Sequence, residues 1–337
     1  MTIGNTMLLE IKRQFEEKSG LAGLDHEFKE TSGGEAIVIF LSCPTERLFE
    51  ILNSATRSVV GDLDDSMIAT LKPTARDRIV EGPEVRLLLK LLSESQTVNR
   101  YSFGAELFSR YTPTVSGAEA QIVSKANHIV FGRRGAGKSM LLLYSMTLRE
   151  RKKLPSVWLD FQTYSGRIDP DVIADILIDL IAEIEAKFGQ NVRLAAIQKL
   201  IENCEPKASE FKKLTPKLRR EIGKLSIEDE LFVYLDDLHL LGRDIQAQVL
   251  DIFYSVSRGN KVFLKISAIE NLTRTYDPTE RVGLELPHDA QAIHLDYNLT
   301  TPEKTTEHIE GILDAHAQFA GIASIRRLCG STDVLSR

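Results

Sequence analysis

The sequence predicts an α/β fold: a doubly wound, five-stranded parallel sheet, preceded by a small mixed α+β domain and followed by a short helical segment. Three observations predict it. From residue 113 onward, short apolar runs alternate with helical patterns, as parallel strands joined by crossover helices require. One glycine-rich segment leads from such a run straight into a leucine-rich helix. The 337 residues are enough to bury one large core plus a smaller one.

In order along the chain, Met7, Leu8, Ile11 and Phe15 recur at helical spacing and Gly20 closes the segment. Gly33-Gly34 precedes the apolar run Ala36–Cys43, and Pro44-Thr45 opens a helical pattern through Leu48, Ile51 and Leu52. A further helical pattern covers Glu84 to Leu92. These make an N-terminal domain over residues 1–112, in which no motif carries chemistry.

Beyond Tyr111-Thr112-Pro113 the expected strands are His128–Phe131, Val157–Phe161, Leu231–Leu235, Val262–Ile266 and Ala292–Leu295. Expected helices follow the glycine-rich turn and cover Val172–Phe188 and Ile245–Val256. This core is expected over residues 113–298. A helix over Thr305–Phe319 and a short tail then occupy 299–337 as a partial lid.

Composition excludes several classes. With 43% apolar and 27% charged residues, the chain reads as globular and soluble. A net charge of −6 argues against wholesale polyanion binding, so any nucleic-acid contact must be local. Cys43, Cys204 and Cys329 are far apart and form no CxxC pair, which suits a reducing cytoplasm. Charged residues interrupt every apolar stretch near the start, and the run Ala36–Cys43 is too short to span a bilayer. A cytoplasmic, membrane-free protein is expected.

The segment Gly132-Arg133-Arg134-Gly135-Ala136-Gly137-Lys138-Ser139 fits G-x-x-x-x-G-K-[ST] at every fixed position. Its glycines let the backbone curl so that N–H groups from Gly132 to Met140, Ala136 included, converge on a phosphate at the positive end of the next helix. Lys138 would reach the β- and γ-phosphates, and the Ser139 hydroxyl would ligate Mg²⁺. Arg133 and Arg134 stand at free positions and are read as solvated.

A magnesium nucleotide site also needs a carboxylate at the end of a neighbouring buried strand. Leu231–Leu235 followed by Asp236-Asp237 supplies it. Asp236 is the expected Mg²⁺ partner and Asp237 the candidate base for an attacking water.

The segments GRRGAGKS, FVYLDDLHLL and VFLKISAIENLTR, in that order, resemble the ASCE division of P-loop ATPases. In that division an additional strand between the two nucleotide motifs carries a polar sensor. Ser267 stands where that sensor would be, bonding the attacking water or γ-phosphate; the alternative is a simple strand-terminating serine. Within the division, Arg274 to Arg281 and the stretch Ala292–Tyr297 are similar to origin-recognition-type AAA+ initiators, which carry an arginine finger before the last strand. The resemblance implies Arg281 for that role, with Arg274 as runner-up. Asp237 replaces the usual Glu, as in the signalling STAND ATPases, and implies slow hydrolysis. The second sensor arginine of a lid has only Arg326 and Arg327 as weak candidates.

Glu205–Lys224 carries a basic stretch, residues 207–224, that could touch a nucleic-acid backbone or form a solvated helix face. His308 and His316 lack the spacing of a zinc site. Asn260-Lys261-Val262-Phe263 lacks the Asp of a guanine motif, so adenine is expected. The combined expectation is an ATP- and Mg²⁺-dependent AAA+/STAND regulatory ATPase, homo-oligomeric and coupled to a protein or nucleic-acid partner. The alternatives are a non-hydrolysing scaffold or switch and, less in keeping with the motif spacing, a small-molecule kinase. Defence or mobile-element handling enters only by analogy.

Overall fold

The structure is a computed structural model. It describes residues 5–31, 34–61, 68–74, 82–96, 98–169, 171–205, 207–225, 230–296 and 302–329. Contacts divide the chain into two compact units. One comprises Met1–Val98, Gly104–Thr112 and Thr301–Arg337, and the other Asn99–Phe103 and Pro113–Thr300.

The first unit begins with α1 (Asn5–Ser19), whose stripe Leu8, Ile11 and Phe15 is fully buried. Strands β1 (His26–Thr31) and β2 (Gly34–Leu41) pair antiparallel, then α2 (Glu46–Val60) leads to β3 (Ala69–Pro73), parallel to β2. Ile37, Ile39 and Leu41 of β2 supply the centre of this core. By contrast, all six residues of β1 are exposed. At the end of α2 the chain reverses through Gly61, whose φ of 79° only glycine adopts freely and whose N–H bonds the Arg57 carbonyl. Helices α3 (Pro83–Glu94) and α4 (Ala105–Ser109) follow.

The second unit holds α5 (Ala118–Ile122), β4 (His128–Phe131), α6 (Lys138–Arg151), β5 (Ser156–Asp160), α7 (Asp171–Phe188), α8 (Val192–Glu202) and α9 (Ala208–Leu225). It continues with β6 (Leu231–Asp236), α10 (Arg243–Ser257), β7 (Val262–Ala268), the hairpin β8 (Tyr276–Asp277) with β9 (Val282–Gly283), and β10 (Gln291–His294). Five strands form one sheet in the order β10-β4-β7-β6-β5, every neighbouring pair parallel. All positions of β4 and β6 are buried. A parallel sheet covered by helices demands this, which explains why these strands read as unbroken apolar runs. Strand β7 reaches to Ala268, so Ser267 lies inside the strand and not just past its end.

The chain then returns to the first unit with α11 (Pro302–Phe319) and α12 (Ile325–Cys329). Ala317, Ala320, Ile322 and Ile325 join Leu8, Ile37 and Leu48 in one core, and α11 packs on α3. The division therefore differs from the three-part expectation: residues after 300 complete the N-terminal core instead of forming a separate lid. The physical reason is the small apolar face Ala317-Ala320, which fits closely against that core. No helix among the described residues is long and apolar enough to cross a membrane.

Candidate nucleotide site

Strand β4 ends at Phe131, and the glycine-rich loop turns the chain into α6 at the carboxyl end of the sheet, where open α/β sheets bind ligands. A Cβ at Gly132 would stand 3.0 Å from the Ala136 Cβ and 3.4 Å from the Leu295 Cβ, so a side chain there would crowd the loop and require Ala136 to give way. Gly137, at φ 88°, is the N-cap of α6 and offers no side-chain cap to the first-turn N–H groups, those of Ser139 and Met140 among them. Those donors, with the helix dipole behind them, suit an anion. Lys138 is 6% exposed and donates from Nζ to the Arg133 carbonyl at 3.1 Å, which holds the ammonium over its own loop. The Arg133 N–H donates to Asp296 Oδ1 at 3.0 Å and ties the loop to the chain just beyond β10.

Asp236 ends β6 and is 7% exposed. Its Oδ1 accepts the Ser139 hydroxyl at 3.1 Å and, more closely, the Ser267 hydroxyl. Ser267 in turn accepts the backbone N–H of Asp237 at 2.8 Å. This is possible because β7 runs between β4 and β6, bringing Ser267 against the strand end. Burial above all pushes the Asp236 carboxyl up to about 6; the charges of Asp237 and Asp160 add to the rise, and the two serine hydroxyls oppose it. Asp160, the last residue of β5, lies in register with Asp236. Ser139 Oγ and the Asp236 carboxylate are oxygen donors of the kind Mg²⁺ takes, and a doubly charged cation would relieve the stacked negative charge. The residues present therefore fit a magnesium-bound phosphate.

Asp237 takes the left-handed conformation at φ 57° and stays partly exposed beside the short turn Leu238–Leu240. His239 in that turn places Nδ1 3.8 Å from Asp237 Oδ1, and this buried nitrogen has no hydrogen-bond partner among the described residues. Burial lowers the His239 pKa; Asp237 opposes that, and the charges of Lys138 and Arg134 reinforce it. Neither His239 nor Asp160 is singled out by the sequence, although Asp160 is itself the acid that ends the apolar run of β5 and His239 follows the acidic end of β6.

A five-stranded all-parallel sheet with this loop after β4 fits a P-loop fold. No protein-family model and no curated protein matches the chain. Among solved structures it is similar to the Walker-type ATPase PABY2304 of Pyrococcus abyssi, at 15% identity and a TM-score of 0.36, over 68% of this chain and 74% of that one. The likeness is loose, and the site described above stands on its own geometry.

The remaining sequence-selected residues fall elsewhere. Arg281 is exposed in the turn of the β8-β9 hairpin, at φ 54°. Arg274 is engaged, bonding Asp277 at 3.0 Å with Asp244 at 3.7 Å. On and beside α9, Lys207, Lys212, Lys213 and Lys224 each pair with a carboxylate, which cancels much of the basic stretch. Arg326 bonds Glu310 within the first unit. The side chain of Arg327 lies outside the described residues. Among the described residues no cluster of His, Cys, Asp and Glu could hold a metal ion by itself.

Proposed function

We propose that the chain binds ATP with Mg²⁺ and hydrolyses it slowly, as an AAA+/STAND-type regulator whose nucleotide state controls assembly with further copies or a partner. One observation carries this reading: Ser139, at the start of α6, and Ser267, on β7, meet on the buried Asp236 carboxylate directly beside a glycine-rich loop. Lys138 exchanges the Arg133 carbonyl for phosphate oxygens, while the first-turn N–H groups of α6 hold the phosphate chain. Ser139 and Asp236 hold Mg²⁺, which supplies charge neutralisation at the phosphates.

Asp237 accepts the proton of the attacking water as its oxygen bonds to the terminal phosphorus and the bridging oxygen departs. Ser267 acts as a positioning residue, fixing Asp236 through its hydroxyl proton and Asp237 through its lone pair. Arg281, at a hairpin turn and exposed, is suited to reach a neighbouring copy's nucleotide; Arg274, paired with Asp277, is not.

A second reading, a nucleotide-dependent switch without turnover, is favoured by Asp237 itself. Its carboxylate is a methylene shorter than glutamate, and its backbone is fixed by Ser267. Equilibrium binding of ATP and GTP with and without Mg²⁺, followed by phosphate release, separates the cases. Mg²⁺-dependent ATP binding with slow release supports the enzyme, and binding without release supports the switch. Absence of saturable nucleotide binding contradicts both.

A further inference from the structure

The first unit contains a cavity of about 500 Å³ whose walls combine two arginines with an apolar surface. Arg47 comes from the first turn of α2, Arg110 from just after α4, and Phe319 from the end of α11. The Arg47 guanidinium lies 3.5 Å from the centre of the Phe319 ring and the Arg110 guanidinium 4.8 Å from it, so the ring keeps two like charges close together. Arg47 Nη1 also donates to the Phe319 carbonyl at 3.0 Å. Burial lowers the pKa of both arginines; Glu106 opposes this in each case, and Glu94 also does so at Arg110. Yet neither arginine has a carboxylate within ion-pair distance among the described residues.

Three polar atoms here are buried and without partners among the described residues: Arg110 Nη1, Thr45 Oγ1 and His316 Nε2. Arg110 is 5% exposed and lines the cavity, as does Thr45. Thr45 is the N-cap of the 15-residue α2, but its hydroxyl caps nothing. The first-turn N–H groups of α2 therefore receive no side-chain oxygen at the same wall that carries the two cations. Arg110 Nε donates to the Glu106 carbonyl at 3.3 Å, which leaves Nη1 as the buried donor without an acceptor among the described residues, and such a group is costly unless a ligand supplies one. The exposed Glu46 also lines the cavity, and its charge opposes the two arginines in setting the affinity for an anion there.

We infer that this cavity is a second ligand site, distinct from the glycine-rich loop, that takes a small organic phosphomonoester. Two guanidiniums, a hydroxyl and a helix N-terminus suit a dianion with several acceptor oxygens. The walls formed by Ala315, Phe319, Ile322 and Ala323 suit an apolar body attached to it.

The test uses the full chain carrying Lys138→Ala, so that the loop after β4 does not capture the probe, titrated with phenyl phosphate by calorimetry. Saturable binding is expected, weakened about tenfold or more by Arg110→Gln. No saturable binding, or equal affinity with and without Arg110→Gln, overturns the proposal. If Arg110→Gln does not fold, Thr45→Val leaves both cations in place: a several-fold weaker affinity supports the site and an unchanged one overturns it. Benzoate binding as tightly as phenyl phosphate overturns the assignment to a phosphomonoester.

Discussion

Ser139 on α6 and Ser267 on β7 donate their hydroxyl protons to the same atom, Oδ1 of Asp236. Two hydroxyls are spent on one buried carboxylate whose pKa is nevertheless pushed up to about 6, so burial and the neighbouring acids outweigh both hydrogen bonds. The ligand-free site is thus arranged to welcome positive charge.

Its stability consequence has a definite sign. The folded pKa of Asp236 lies above its ordinary value of 3.8, so its favourable contribution is present below that value and is lost as pH rises through about 6. Asp236→Asn removes the cost of ionisation and should stabilise the ligand-free chain at pH 7.5 by about 1–3 kcal/mol. The same variant should lose Mg²⁺-dependent nucleotide binding. Urea unfolding at pH 5 and 7.5 checks the first point; equal destabilisation at both pH values would contradict it.

Asp237→Asn should leave ATP affinity within a few-fold of the parent and reduce phosphate release by about 10²-fold or more, since the amide cannot take the water's proton. Single-turnover phosphate release is the measurement. Unchanged turnover would remove Asp237 from the role of base.

Much of this site was legible because its signals are local. The loop motif, the apolar run before it and the acidic end of β6 each occupy consecutive residues, and β4 falls on the expected residues His128–Phe131. What was not legible depends on contacts remote in sequence. The resemblance implies a strand between the two motifs, and β7 takes that place, but only the packed sheet shows that the Ser267 hydroxyl engages Asp236 and the Asp237 N–H. Likewise, nothing in the pattern of α11 says which core its apolar face will join. Strand β1 carries no alternation because every residue of it is exposed. Pro216 lies inside α9, where burial of Phe211, Leu218 and Ile222 offsets the hydrogen bond a proline cannot donate.

If Arg281 acts across an interface, turnover per subunit should rise with protein concentration. Mixing Arg281→Ala with Lys138→Ala chains should restore part of the activity, because some interfaces then pair an intact loop with an intact arginine. A mixture no more active than its components, with concentration-independent parent turnover, would return Arg281 to an ordinary turn residue.

Lys265 is fully buried in β7 and contacts the carbonyls of Ser124 and Ala126 at 2.6 and 2.8 Å and His128 Nδ1 at 3.0 Å. Burial, then the charge of Arg149, pushes its pKa down to about 7, while burial and Lys265 hold His128 at about 4. A base whose folded pKa is lowered gains stability as pH rises from that value toward 10.5. Parent stability relative to Lys265→Met should therefore increase by roughly 2–4 kcal/mol between pH 6.5 and about 10. Denaturant titrations across that range decide it, and parallel curves for the two proteins would contradict the assignment.

The proposed binding of ATP phosphates by the loop from Gly132 to Ser139 rests most directly on Lys138. Among the described residues Lys138 donates only to the Arg133 carbonyl, so Lys138→Ala should preserve the fold. Equilibrium ATP binding in the presence of Mg²⁺, measured beside the unfolding midpoint of each protein, is the direct test. ATP affinity should fall by about 10²-fold or more with an unchanged midpoint. ATP binding by folded Lys138→Ala at the parent's affinity would contradict it.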